Sequence, residues 1–217
     1  MLRFNLQIES SIPLKLLCLG AHSDDIEIGC GGTILRLIEE FPGLEIVWVV
    51  FSALGERGTE ARNSAEAYLR NVSVKKIITK EFRDGYFPAN VSTIKDVFED
   101  LKNNYSPGLI FTHFRHDLHQ DHRQICELTW NTWREHLILE YEIPKYDGDL
   151  QSPNFFVNIN DKEREMKIDL LLNHFQTQSN KHWFSAETFN AILRLRGIEC
   201  KATSGYAEAF YTRKLLF

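Results

Sequence analysis

The sequence predicts an α/β fold: a Rossmann-like, mostly parallel sheet with helices on both faces and a functional site at the carboxyl ends of the strands. Two observations predict it. Short apolar runs alternate with longer stretches of helical periodicity from Leu14 to Trp133, the pattern of repeated βα units. Two clusters of His and Asp stand directly after such runs, and in a parallel sheet the ends of successive strands share the edge at which open α/β folds bind ligands.

Leu14 to Leu19 reads as the first, buried strand. Ile28 to Phe41 follows as a helix stopped by Pro42-Gly43, then Leu44 to Phe51 as the second strand and Thr59 to Asn71 as a helix. Lys75 to Thr79 is a third strand. Val91 to Tyr105 is helical, ended by Ser106-Pro107-Gly108, and Leu109 to His113 is the fourth strand. A helical pattern after it places Ile125, Leu128, Thr129 and Trp133 on one side. Beyond Trp133 the rhythm changes: Leu137 to Ile143 and Asn154 to Ile159 read as strands, Lys162 to Phe175 and Ser185 to Leu195 as helices. No repeat, low-complexity tract or linker divides the chain, so residues 1–217 read as one domain.

Composition narrows the function classes. At 43% hydrophobic and 25% charged residues the 217-residue chain is ordinary for a soluble globular protein. Its net charge of −5 offers no general attraction to nucleic acid or anionic lipid. No run approaches the ~18 apolar residues of a membrane span. The amino end, Met1 to Pro13, lacks the apolar core of a secretion signal, so a cytoplasmic protein is expected. Cys18, Cys30, Cys126 and Cys200 form no CxxC pair and read as reduced thiols. Nothing in the sequence sets an oligomeric state.

The chemistry sits in the two clusters. Ala21-His22-Ser23-Asp24-Asp25 follows the first strand, so His22, Asp24 and Asp25 can converge on one small volume. Imidazole and carboxylate are zinc ligands, and a second carboxylate beside them can take a proton from water. A hydrolytic zinc site uses three protein ligands and an open position. The span His113 to Arg123, with four His and two Asp after the fourth strand, can supply the remainder.

Ala21-His22-Ser23-Asp24-Asp25-Ile26-Glu27 resembles the first motif, Ala-His-Pro-Asp-Asp-Glu, of the PIG-L or LmbE-like zinc-dependent N-deacetylases, which remove acetyl groups from N-acetylglucosamine conjugates. Ser23 stands in place of the Pro, and Ile26 displaces the acid to Glu27. His119-Gln120-Asp121-His122 matches the family's His-x-Asp-His. The likeness extends to Gly31-Gly32-Thr33, to Gly55 with Arg62 and Glu66, and to the closing Gly205 to Phe210. It implies that His22, Asp25 and His122 hold Zn²⁺, for which Fe²⁺ is an alternative with the same ligand types. It implies further that Asp24 is the general base, that His119 meets the developing oxyanion or donates a proton, and that Asp121 tunes His119. The implied reaction is hydrolysis of an N-acetyl amide on a GlcNAc-type sugar conjugate by metal-activated water, in glycan or secondary-metabolite biosynthesis. Which of Asp24 and His119 protonates the leaving amine stays open. Ser23 leaves φ free where Pro would fix it, which bears on how the turn aims Asp24 and Asp25.

Plainer readings stand beside these. Paired Asp before a helix can serve its macrodipole alone. Gly29-Cys30-Gly31-Gly32 suggests a phosphate-binding turn, but Asp24 and Asp25 put negative charge where phosphate would sit, so close helix packing is the expected use of the glycines. Arg57, Arg62 and Glu66 are candidates for substrate contact, an Arg gripping a phosphate or hydroxyl; Arg62 and Glu66 can equally be a helix-face ion pair. His113 reads as pocket-lining or structural, His116 as solvated, and His136, His174 and His182 as structural. Asp84-Gly85-Tyr86-Phe87-Pro88 is a plain connection or a rim that shapes substrate choice. Tyr206 and Glu208 serve substrate or brace the fold. The alternatives to a sugar deacetylase are an amidase acting on another acylated amine and a non-catalytic sugar- or metal-binding protein on the same scaffold.

Overall fold

The computed structural model describes residues 13–216. The reading of the amino end therefore falls, for residues 1–12, outside the described residues. Seven strands form one sheet: β1 (Lys15–His22), β2 (Glu45–Ser52), β3 (Val74–Thr79), β4 (Leu109–His113), β5 (Leu137–Tyr141), β6 (Phe155–Asn158) and β7 (Ala207–Tyr211). Their order is β3-β2-β1-β4-β5-β7-β6. The first five are parallel. β7 then runs antiparallel between β5 and β6. The helices are α1 (Asp25–Glu40), α2 (Glu56–Tyr68), α3 (Val91–Asn104), α4 (Gln120–Thr132), α5 (Asp161–His174) and α6 (Ala186–Cys200). No helix among the described residues is long and apolar enough to cross a membrane.

The apolar runs are continuous because the strands are covered on both faces. On β1, Leu16 and Cys18 join a core with residues of α1, α2 and α5, including Ile34, Ala65 and Leu171. The alternate residues Leu17, Leu19 and Ala21 join a second core with Ile94 and Phe98 of α3 and Ile125 of α4. β1 occupies the centre, between β2 and β4, so its carboxyl end is flanked by the loops of both neighbours.

Several boundaries differ from expectation. β1 runs three residues past Leu19, because Gly20 and His22 pair with Val50 and Ser52 of β2. α1 begins at Asp25 rather than Ile28, its first turn closed by Ile28 N donating to Asp24 O at 3.0 Å. α2 starts at Glu56, directly after Gly55 at φ 61°, a conformation that favours glycine. α6 continues to Cys200. β7 was not expected: Ala207-Glu208-Ala209 has little intrinsic strand preference and is held extended by partners on both sides.

The glycine run lies inside α1, not in a loop. A Cβ at Gly29 would come 2.2 Å from the Tyr141 ring, and one at Gly32 3.1 Å from Glu208 Oε1. These glycines let the helix approach the sheet, and no phosphate-cradling turn is present there. Glu208 of β7 accepts hydrogen bonds from Gly32 N (2.8 Å) and Thr33 N (2.6 Å). Lys167 of α5 donates to Glu208 (2.5 Å) and to Ile28 O (2.6 Å). Both side chains are almost fully buried, so a paired acid and base brace α1 from within; Glu208 is a structural member.

Candidate functional site

His22 ends β1, Asp24 is the residue before α1, and Asp25 is the first residue of that helix. All three are buried. Asp24 makes no capping bond to the helix; its Oδ1 instead accepts from Arg57 Nη2 at 2.7 Å. A role confined to the helix terminus therefore does not describe it. Ser23 is buried, and its hydroxyl donates to Ser52 O at 3.3 Å. That bond ties the turn to the end of β2 and supplies a restraint in place of a proline ring. Asp25 Oδ2 accepts from His22 N at 2.6 Å, which closes the turn.

The second cluster arrives from β4 and the start of α4. Nδ1 of His22 lies 3.1 Å from Nε2 of His122. Asp25 stands beside both, 3.4 Å from His22 Nδ1 and 3.6 Å from His122 Nε2. The outer nitrogens are engaged elsewhere: His22 Nε2 faces Asp84 Oδ1 at 3.1 Å and Asp121 Oδ2 at 3.3 Å, and His122 Nδ1 faces Asp117 Oδ2 at 2.9 Å. A carboxylate accepts, so the imidazole protons belong on those outer nitrogens and the lone pairs point inward. Two lone pairs facing each other beside a carboxylate, all buried, repel unless a cation or a proton sits between them. The donor set of two imidazoles and one carboxylate fits a Zn²⁺ or Fe²⁺ ion.

The titration tendencies match. Burial, then the charge of His113, pulls His122 down to about 4, so its lone pair is free at neutral pH. Burial opposes charge on His22, but Asp25, Asp121 and Asp84 outweigh it and hold that imidazole well above its usual range. A proton thus takes the position for which a metal would compete. Burial likewise opposes charge on Asp25, and His122, His113 and His22 together keep its carboxyl well below the usual range.

His119 precedes α4, and its Nδ1 accepts from Asp121 N at 3.2 Å. Its proton is therefore on Nε2. Its ring stacks on His122 with centroids 4.6 Å apart and meets His22 edge-on at 4.8 Å. Burial, then the charge of His22, lowers its pKa, which leaves a neutral imidazole carrying an N–H donor. Asp121 differs from its expected place. Its carboxylate accepts from Gly85 N (2.6 Å) and Phe87 N (3.1 Å) and faces His22, so it anchors the 84–88 loop, while Asp121 acts on His119 through its backbone N–H and its charge. The loop that brings Asp84 is thereby part of the site.

Arg57 is turned inward to Asp24. Arg62 donates to Thr79 Oγ1 at 2.5 Å, and Glu66 pairs with Lys75 at 2.8 Å, so the helix-face pair Arg62–Glu66 is replaced by contacts to β3 and neither side chain is bonded to the clusters. His113 is fully buried, stacks on His122 at 3.9 Å and accepts from Ala21 N at 2.9 Å, and its Nε2 also stands 3.2 Å from Asp25 Oδ2, so it lies against the site. His116 is exposed. Asp117, Lys145 and Asp84 went unassigned in the sequence. Asp117 reaches His122 because the 114–119 turn folds back, with Asp117 N donating to Phe114 O at 3.2 Å, and Lys145 pairs with it at 3.0 Å. Only the Asp-Gly turn at 84–85 carried a signal, as a loop on the active edge.

The sequence model of the family described as PIG-L, GlcNAc-PI de-N-acetylase, matches residues 17–133, which carry both clusters. The chain is 28% identical over 173 residues to an uncharacterized deacetylase, YaiS, of Escherichia coli strain K12, a match covering 73% of this chain and 89% of that protein. It is 28% identical over 128 residues to diacetylchitobiose deacetylase of Thermococcus kodakarensis, covering 50% of this chain and 45% of that one. Its fold is similar to that of N,N'-diacetylchitobiose deacetylase from Pyrococcus horikoshii, with a TM-score of 0.74 and 23% identity, covering 97% of this chain and 87% of that chain.

Proposed function

The chain belongs to the PIG-L family of de-N-acetylases, and from that membership we propose that it is a metal-dependent hydrolase that removes the N-acetyl group from a GlcNAc-type sugar conjugate. The observation that carries the metal dependence is the approach of His22 Nδ1 and His122 Nε2 to 3.1 Å beside Asp25. The diacetylchitobiose deacetylases among its relatives support the sugar class.

His22, Asp25 and His122 would hold Zn²⁺ or Fe²⁺, and the bound ion supplies Lewis acidity to water and to the amide carbonyl. The chain's own residues do the rest. Asp24 accepts the proton of the attacking water as the new C–O bond forms. Burial raises the pKa of Asp24 against the opposing charge of Arg57, a basicity suited to a general base. Arg57 positions its carboxylate from one side. His119 donates its Nε2 proton as a hydrogen bond to the oxygen that becomes negative, in the neutral form its surroundings favour. Asp24 then returns its proton to the nitrogen as the C–N bond breaks, and acetate and a free amine leave. Asp117 and Asp84 hold the two imidazoles in the tautomers this requires.

The test is acetate release by zinc-loaded protein from free GlcNAc, diacetylchitobiose and GlcNAc conjugates, with N-acylated amines lacking a sugar alongside. Release from the sugars is the expected result; release only from the sugar-free amines would make the protein an amidase of another class.

A further inference from the structure

The segment that leaves β5 is pinned at two points by one side chain of α6. Arg196 donates to both carboxylate oxygens of Glu142, from Nε and Nη2 at 2.7 Å each, and its Nη2 donates again to Gln151 O at 3.0 Å. Between those pins Lys145 turns inward. Its Nζ stands 3.0 Å from Asp117 Oδ2 and donates as well to Asp149 Oδ2. The Lys145, Asp117 and Asp149 side chains are exposed by only 10%, 3% and 5%. A lysine paired at the surface contributes little, but an ammonium withdrawn this far from water must be met closely by carboxylates.

The two carboxylates have different tasks. Asp149 Oδ2 accepts from Leu118 N at 2.7 Å. Asp117 faces the candidate site with both oxygens: Oδ2 stands 2.9 Å from His122 Nδ1, and Oδ1 accepts from His119 N at 2.8 Å. One side chain thus orients the His122 imidazole and holds the backbone of the proposed oxyanion donor. Two buried carboxylates that converge on one ammonium repel each other without it, and Asp117 would then turn away from His122. The path of residues 142–151 does not depend on Lys145, since Arg196 fixes both ends of that segment.

We propose that Lys145 is a positioning residue for the metal centre: its ammonium offsets the charge of Asp149 and keeps Asp117 turned to His122 Nδ1 and His119 N. The inference rests on the reading of His22, Asp25 and His122 as metal ligands.

The test is zinc affinity, measured on the full chain by competition with a chromogenic chelator. Lys145→Met should weaken zinc binding by about 10- to 100-fold, the effect of disturbing the partner behind a metal-bound imidazole. Lys145→Met with Asp149→Asn should bind zinc more tightly than Lys145→Met alone, because the rival carboxylate is gone while the asparagine carbonyl still accepts from Leu118 N. A lysine that merely stapled two loops would give the opposite order, each lost contact adding to the defect. Unchanged or tighter zinc binding in Lys145→Met overturns the proposal, and so does a double variant that binds no better than the single one. Should Lys145→Met fail to fold, Lys145→Gln, which still donates to one carboxylate, is measured in its place against the same expectations. Wild-type protein that binds no zinc would defeat the metal reading instead. Imidazole ¹H–¹⁵N spectra of the metal-free protein then decide: His122 held as the Nδ1–H tautomer in the wild type and mixed in Lys145→Met supports the positioning role, and the same tautomer in both overturns it.

Discussion

Nδ1 of His22 and Nε2 of His122 face each other at 3.1 Å while the opposite nitrogen of each ring is committed to a carboxylate. On the proposed reading a cation would sit between them. His122→Ala is therefore expected to lose stoichiometric zinc. Asp117→Asn, which still fills its space but holds the His122 tautomer less firmly, should weaken zinc affinity by about 10- to 100-fold. Competition with a chromogenic chelator measures both, and unchanged affinity in His122→Ala would remove that residue from the ligand set.

Asp24→Asn should keep metal and lose turnover by about 10²- to 10⁴-fold, the range of a general base. The pH dependence has a definite sign. As the proposed general base Asp24 would work as the carboxylate, and burial raises its pKa, so kcat/KM should rise with pH through a midpoint above the ordinary aspartate value of about 3.9. Arg57 opposes that rise. Arg57→Gln should move the acid limb to higher pH, and a shift to lower pH would contradict the pairing.

His119→Ala should retain metal while kcat falls by about 10²- to 10³-fold, as for loss of one oxyanion donor. In the proposed role of a neutral Nε2–H donor, the imidazole can be imitated by His119→Gln, which also presents an N–H and should recover part of the loss. Steady-state kinetics on the two variants separate hydrogen bonding from proton donation, since glutamine cannot act as an acid.

The buried pair of Lys167 and Glu208 predicts a stability effect away from the chemistry. Lys167→Met leaves buried Glu208 without its cation against α1 and should cost about 3–5 kcal/mol, whereas Lys167→Met with Glu208→Gln should cost less. Urea unfolding reads the difference; a double variant no more stable than the single one would refute the ion-pair explanation.

What was legible in the sequence is what is local. The apolar runs of β1, β2 and β4 and the Pro-Gly stops between them announced the parallel sheet, and the family motifs drew attention to His22, Asp25 and His122, which the fold brings within 3.6 Å. What escaped depends on contacts distant in the chain. β7 is a strand because β5 and β6 flank it, not because Ala207-Glu208-Ala209 prefers extension. Arg57 gave no sign that it would turn to Asp24 rather than to a ligand, since both need the same guanidinium. Asp84 and Asp117 take their roles from loops whose path is fixed by backbone bonds to Asp121 and Phe114.

The most direct test is to strip the protein with chelator and titrate zinc back while measuring acetate released from an N-acetylglucosaminide. Activity that vanishes on stripping and returns to a plateau at one equivalent, with none recovered by His122→Ala, is the predicted result. Acetate release that survives stripping undiminished would contradict a metal-dependent site built on His22, Asp25 and His122.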